Sequence, residues 1–188
     1  MDNAVDIGLK VLEELHGSLA LIDKKQAEGF VDAVLSAKRI FVAGAGRSLL
    51  MIRGFAMRLM HMGFQTYVVG ETVTPSIEPG DLLVIASGSG ETGTLAVMAG
   101  KAKKVGAQLA LITIYPESTI GELADVVVQI VAATTKGTRE SVKSIQPGAN
   151  MFEQSVLLFC DAAVIRIIQR QGMTEENIML MKRHANLE

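Results

Sequence analysis

Apolar and polar positions along this 188-residue chain switch between a helical and an extended period. Over residues 3–22, Val11, Leu12, Leu15, Leu19 and Ile22 recur at helical spacing with Glu13, Glu14 and His16 between them, which predicts an amphipathic helix. A second helical pattern covers residues 27–38 through Phe30, Val31, Val34 and Leu35. The run Arg39-Ile40-Phe41-Val42-Ala43 then reads as a buried strand that ends at glycines. The alternation continues with helix 47–61, strand 65–69, a loop marked by Pro75 and Pro79, strand 81–87, helix 92–105, strand 108–113, a short helix at 118–123 and strand 125–131. Strands that are apolar throughout and alternate with helices need cover on both faces. The expected fold is therefore α/β, a doubly wound three-layer sandwich around a five-stranded parallel sheet.

Residues 132–148 form one long polar connection, containing Lys136, Gly137, Thr138, Arg139, Lys143, Pro147 and Gly148, and read as a flap or a subunit contact. Helix 151–170 is apolar on almost every face, from Phe152 through Leu157, Leu158, Phe159, Val164, Ile165, Ile167 and Ile168, so burial between subunits is expected. A last helix, 174–185, opens at Thr174 with Glu175 and Glu176 in its first turn. The length fits one domain over residues 1–188.

Composition narrows the function classes. With 49% hydrophobic and 20% charged residues the chain has ample core and is not disordered. Lys+Arg 18 against Asp+Glu 20 leaves a net charge of -2, and aromatics are only 4% with no Trp, which argues against nucleic acid as a partner. Cys160 is the sole cysteine and forms no intramolecular disulfide, which suits a reducing, cytoplasmic setting. Acidic Asp2, Asp6, Glu13 and Glu14 do not fit a signal peptide, and no apolar run reaches the ~20 residues of a membrane span.

Two glycine-rich turns each follow a strand and open a helix: Gly44-Ala45-Gly46-Arg47-Ser48 and Ser87-Gly88-Ser89-Gly90-Glu91-Thr92. Backbone N–H groups there, with the hydroxyls of Ser48, Ser87, Ser89 and Thr92 and close approach at Gly46 and Gly88, suit a phosphorylated small molecule. The competing reading makes the hydroxyls plain helix caps. Gly88, Gly90 and Gly93 match G-x-G-x-x-G, but no acidic residue follows in Ile112-Thr113-Ile114 to hold a ribose, and no Gly-Lys-Ser/Thr is present in either turn. His16, His61 and His184 lie on separate helices with no metal-ligand spacing, so no metal and no cofactor are expected. Glu153, in the first turn of the apolar helix 151–170, is the candidate base, against the alternative of an acid that merely complements a helix dipole. Cys160 reads as core.

These segments resemble the sugar isomerase (SIS) domain and, within it, the 6-phospho-3-hexuloisomerases. The resemblance is carried by both turns together with Phe55-Ala56-Met57-Arg58-Leu59-Met60-His61, Val68-Val69-Gly70-Glu71-Thr72, Gln146-Pro147, Phe152-Glu153-Gln154 and His184-Ala185-Asn186-Leu187-Glu188. Two departures stand out: Leu49 where the family usually has glycine, and Gly148-Ala149-Asn150 in place of Met-Gly-Ser or Met-Gly-Thr. The resemblance implies a flavodoxin-like SIS fold and interconversion of D-arabino-hex-3-ulose 6-phosphate and D-fructose 6-phosphate, the step after formaldehyde fixation in the ribulose monophosphate pathway. It also implies a homotetramer and a functional link to hexulose-6-phosphate synthase. By matching positions, Ser48, Ser87, Ser89 and Thr92 bind phosphate, Glu153 is the base, and Arg47 and His184 assist, His184 across an interface. A sugar-phosphate sensor and an aldose-ketose isomerase for a related phosphosugar remain the alternatives.

Overall fold

The computed structural model describes residues 2–133 and 143–173. Along the chain these form α1 (Ala4–Ala20), α2 (Lys24–Ser36), β1 (Ile40–Gly44), α3 (Gly46–Met62), β2 (Thr66–Val68), β3 (Leu82–Ala86), α4 (Gly93–Val105), β4 (Gln108–Thr113), a 3-10 turn (Gly121–Leu123), β5 (Val126–Gln129) and α5 (Asn150–Arg170). The helix expected at 118–123 contracts to that single 3-10 turn, and the one expected at 174–185 lies outside the described residues.

Local chemistry explains the boundaries. Asn3 caps α1, accepting from the Val5 and Asp6 N–H groups at 2.8 and 3.1 Å, while Asp6 reaches back to the Asn3 N–H. Asp23 caps α2 without a reciprocal bond, accepting from the Lys25 and Gln26 N–H groups, so that helix starts at Lys24, one turn before its apolar periodicity becomes visible.

The five strands are parallel in the order β2-β1-β3-β4-β5. Strand order reverses between β1 and β3, which pair from Ile40↔Leu82 to Gly44↔Ala86. Crevices in doubly wound sheets open at such a reversal, beyond the carboxyl ends of the strands. One sheet face, with Ile40, Val42, Leu82, Val84 and Ile112, is covered by α2, α3 and α5, whose Phe30, Phe55 and Phe159 meet ring to ring at 5.7 and 5.3 Å between centroids. The other face, with Phe41, Leu83, Ile85 and Leu111, is covered by Leu95, Ala99 and Ala102 of α4, by Ile120, and by Ile77 from the irregular β2–β3 connection.

Within one chain α5 buries a single face. Phe152, Val156, Phe159, Cys160, Val164 and Ile167 are buried, whereas Leu158 and Ile165 are 38% and 57% exposed. The expectation of a helix enclosed on all sides therefore does not hold inside the subunit. Among the described residues, no helix is long and apolar enough to cross a membrane.

Candidate active site

Both glycine-rich turns lie where the strand order reverses, because β1 and β3 are neighbours in register and each turn follows its strand directly. Helices α3 and α4 therefore start side by side at the carboxyl edge of the sheet. Neither is capped by a side chain: Ala45 and Thr92 occupy the cap positions without a side-chain hydrogen bond, and Ala149 at the start of α5 makes none either. Uncapped first turns leave N–H groups free to meet an anion. The helix-cap reading of these hydroxyls thus fails for Thr92, in contrast to Asn3 and Asp23, which do cap α1 and α2.

The second turn is folded on itself. Ser87, only 4% exposed, accepts the Gly90 N–H at 3.1 Å on its Oγ, and Ser89 Oγ accepts the Glu91 N–H at 3.2 Å. Each hydroxyl then keeps its own proton to donate to a ligand. Gly90 stands at φ +64 with Ser118 so close that a Cβ would lie 1.8 Å from its Oγ, and only glycine fits. Glu91, to which the sequence reading attached no role of its own, braces the turn from outside. Its carboxylate accepts the Thr119 N–H at 2.8 Å and the Thr119 hydroxyl at 2.7 Å. Those two bonds, the hydroxyl first, hold the Glu91 carboxyl below its ordinary pKa.

The first turn of α5 closes the site from above. A Cβ on Gly88 would meet the Phe152 ring at 3.2 Å, so helix and turn are in direct contact. One helical turn places Asn150 and Glu153 on the same face. Arg47, in the first turn of α3, donates from Nη1 to Asn150 Oδ1 and, at 2.9 Å, to Glu153 Oε2. Glu153 is drawn into the wall with its side chain 13% exposed, while that of Arg47, at 40%, stays within reach of a ligand. Arg47 and Glu153 are 106 residues apart in the chain, yet the fold makes them an ion pair directly beside the two turns.

Gly46, Arg47, Ser48, Ser87, Gly88, Ser89, Thr92 and Glu153 thus occupy one end of the sheet. His184 lies outside the described residues. Asn150 received no role from its sequence, although its position three residues before Glu153 in a helix was a usable signal. His16 is exposed on α1, and His61 is buried at the last turn of α3. Cys160 is core: burial first, then Asp161, pushes its thiol pKa well above the ordinary range. Among the described residues, no three His, Cys, Asp or Glu side chains gather where they would hold a metal ion.

Residues 34–159, which include both turns and Glu153, match the SIS domain model. The chain belongs to the SIS domain family. This SIS domain is 45% identical to the 3-hexulose-6-phosphate isomerase of Bacillus subtilis over 179 residues, covering 95% of this chain and 96% of that one. The enzyme of the same name from Methylomonas aminofaciens is 42% identical, covering 95% and 99%. Among solved structures, a Methanococcus jannaschii protein, inferred from its crystal structure to have a molecular function of 3-hexulose-6-phosphate isomerase, superposes with a TM-score of 0.80 at 34% identity over 97% of both chains.

Proposed function

We propose that this SIS domain is a 6-phospho-3-hexuloisomerase that interconverts D-arabino-hex-3-ulose 6-phosphate and D-fructose 6-phosphate, with the whole chain acting as one domain. The observation that carries the reading is the Arg47–Glu153 pair at 2.9 Å, set beside two turns built to receive an anion. The named relatives support the substrate class.

In this reading the sugar phosphate is anchored by the turns after β1 and β3, through free N–H groups and the hydroxyls of Ser48, Ser87, Ser89 and Thr92. Anchoring at one end spends binding energy on orientation, which brings C2 and C3 against Glu153. The Glu153 carboxylate removes the C3 proton of D-fructose 6-phosphate; the C–H electron pair becomes a C2–C3 double bond, and the C2 carbonyl oxygen takes the charge. Arg47 stabilises that oxygen, and His184 assists. Return of the proton to C2, with transfer of the hydroxyl proton from O3 to O2, gives the 3-ketose. Because the two carbons exchange oxidation states within one molecule, no external oxidant or reductant enters.

The protein is further proposed to work as a homotetramer and in functional linkage with a hexulose-6-phosphate synthase. Apolar side chains left uncovered on α1, with Val5, Leu9 and Leu12 between 56% and 71% exposed, support the assembly.

Incubation with D-fructose 6-phosphate in D2O, followed by NMR, tests the reading. The C3 proton signal is expected to disappear while both C1 protons persist, and Glu153→Gln should slow this exchange by roughly 10²–10⁴-fold without loss of phosphate binding. Phosphosugar binding with no exchange at C3 would overturn the assignment in favour of a sensor. Exchange at C1 would point to an aldose-ketose isomerase.

A further inference from the structure

We propose that Glu14, on α1, is a positioning residue for the reaction: its carboxylate clamps residues 144–146 and so determines where the first turn of α5 holds Asn150 and Glu153. This inference rests on the isomerase reading and deepens it.

Three donors from one short segment converge on the Glu14 carboxylate. The Ile145 N–H reaches Oε1 at 2.8 Å, and the Ser144 hydroxyl and Gln146 Nε2 reach Oε2 at 2.7 and 3.0 Å. The segment is also folded locally, since the Gln146 N–H donates to Ser144 Oγ at 3.0 Å, and Gln146 is only 9% exposed. Burial works to raise the Glu14 carboxyl, but the bonds from Ser144, Gln146 and Ile145 outweigh it and leave its pKa lowered. Glu14 is therefore a charged acceptor at neutral pH, the stronger kind.

Only Pro147, Gly148 and Ala149 separate this clamp from Asn150. Pro147 has a ring-fixed φ, its carbonyl accepts the Asn150 N–H at 3.3 Å, and the Ala149 carbonyl accepts the Glu153 N–H at 3.1 Å. With no side-chain cap of its own, the start of α5 is held by the segment that precedes it together with Phe152 against Gly88 and the Arg47 bonds to Asn150 and Glu153. The support is itself firm. One turn along α1, Ser18 donates to the Val131 carbonyl at 2.8 Å and accepts from Ser155 of α5 at 3.1 Å. Helix α1 thus holds both ends of the connection between β5 and α5. The clamp bonds join Glu14 to Ser144, Ile145 and Gln146 and use no residue of the turns after β1 and β3, so turnover should fall further than phosphate affinity.

The test compares wild type, Glu14→Ala and the isosteric Glu14→Gln by kcat on D-fructose 6-phosphate, inhibition by inorganic phosphate, and deuterium uptake across residues 143–150. For Glu14→Ala the expected result is a kcat at least tenfold lower, a phosphate inhibition constant within twofold of wild type, and faster uptake confined to that segment. Glu14→Gln, which keeps one acceptor oxygen, should fall between. A kcat within twofold of wild type in Glu14→Ala would overturn the proposal. So would parallel loss of turnover and phosphate binding with faster uptake throughout the molecule, because that is a merely structural effect. An inactive wild type would strike the isomerase reading itself, whereas an active wild type with indifferent variants strikes the clamp alone.

Discussion

Gly90 shows how one residue sets the shape of the anion site. Its φ of +64 is costly for any L side chain, and a methyl group there would overlap Ser118, whose Oγ and Cβ lie 1.8 and 2.4 Å from an added Cβ. Ser118 is 4% exposed and has little room to retreat. Gly90→Ala is therefore expected to raise the inhibition constant of inorganic phosphate at least tenfold and to lower the melting temperature. An unchanged inhibition constant would show that the turn does not depend on this packing. The motif made Gly90 recognisable as a turn residue. The side chain that an added Cβ would strike is 28 positions away, on the far side of β4, and nothing in the local pattern announces that contact. Glu153 and Arg47 illustrate the same limit: Glu153 was singled out by type and place and Arg47 by the family resemblance, but their pairing spans 106 residues.

The strands bring these residues together, so the β1–β3 pairing matters beyond stability. At the opposite end of the two strands from the site, Arg39, before β1, grips Asp81, before β3. Nε donates to Oδ1 at 3.0 Å and Nη2 to Oδ2 at 2.6 Å, while the Glu78 N–H donates to Oδ2 at 2.8 Å. Burial pushes the Asp81 carboxyl up, yet the hydrogen bonds from Arg39 and Glu78 and the positive charges of Arg39 and Lys38 outweigh burial and leave its pKa lowered. A carboxyl depressed in the folded state contributes stability that is complete above its unfolded pKa of about 4 and disappears as pH falls through the folded value. Asp81→Asn should lower stability at pH 7, because it removes the charge that Arg39 and the Glu78 N–H hold. Urea unfolding at pH 7 and below pH 4 checks this: the gap between wild type and variant should narrow on acidification, and a gap that is constant with pH would refute it. The strand and helix sequence of this part of the fold was legible because buried parallel strands are apolar throughout. The 118–123 segment was not, since a single 3-10 turn leaves too few positions to establish a period.

For the molecule as a whole, the apolar residues that remain outside bear on assembly. Leu158 and Ile165 lie on the outer side of α5, and Leu9 and Leu12 on α1 are 56% and 58% exposed. A homotetramer predicts a solution mass four times that of the chain by light scattering, and Ile165→Asp, which places a charge where an apolar partner surface is expected, should reduce it. A wild-type mass equal to one chain would end that proposal. The alternation of apolar runs with amphipathic helices was enough by itself to determine the α/β class, the five parallel strands and the two glycine-rich turns, because each is written in local periodicity and backbone chemistry. Helix α5 marks the boundary: its composition reads as apolar nearly all round, but which face is buried depends on what packs against it. Only the tertiary structure decided that β1 and β3 are neighbours, that three uncapped helix starts converge, that Glu153 pairs with Arg47, and that Glu14 holds the segment before α5. Those facts depend on strand order and on contacts across a hundred residues or more, and a local period carries no information about either.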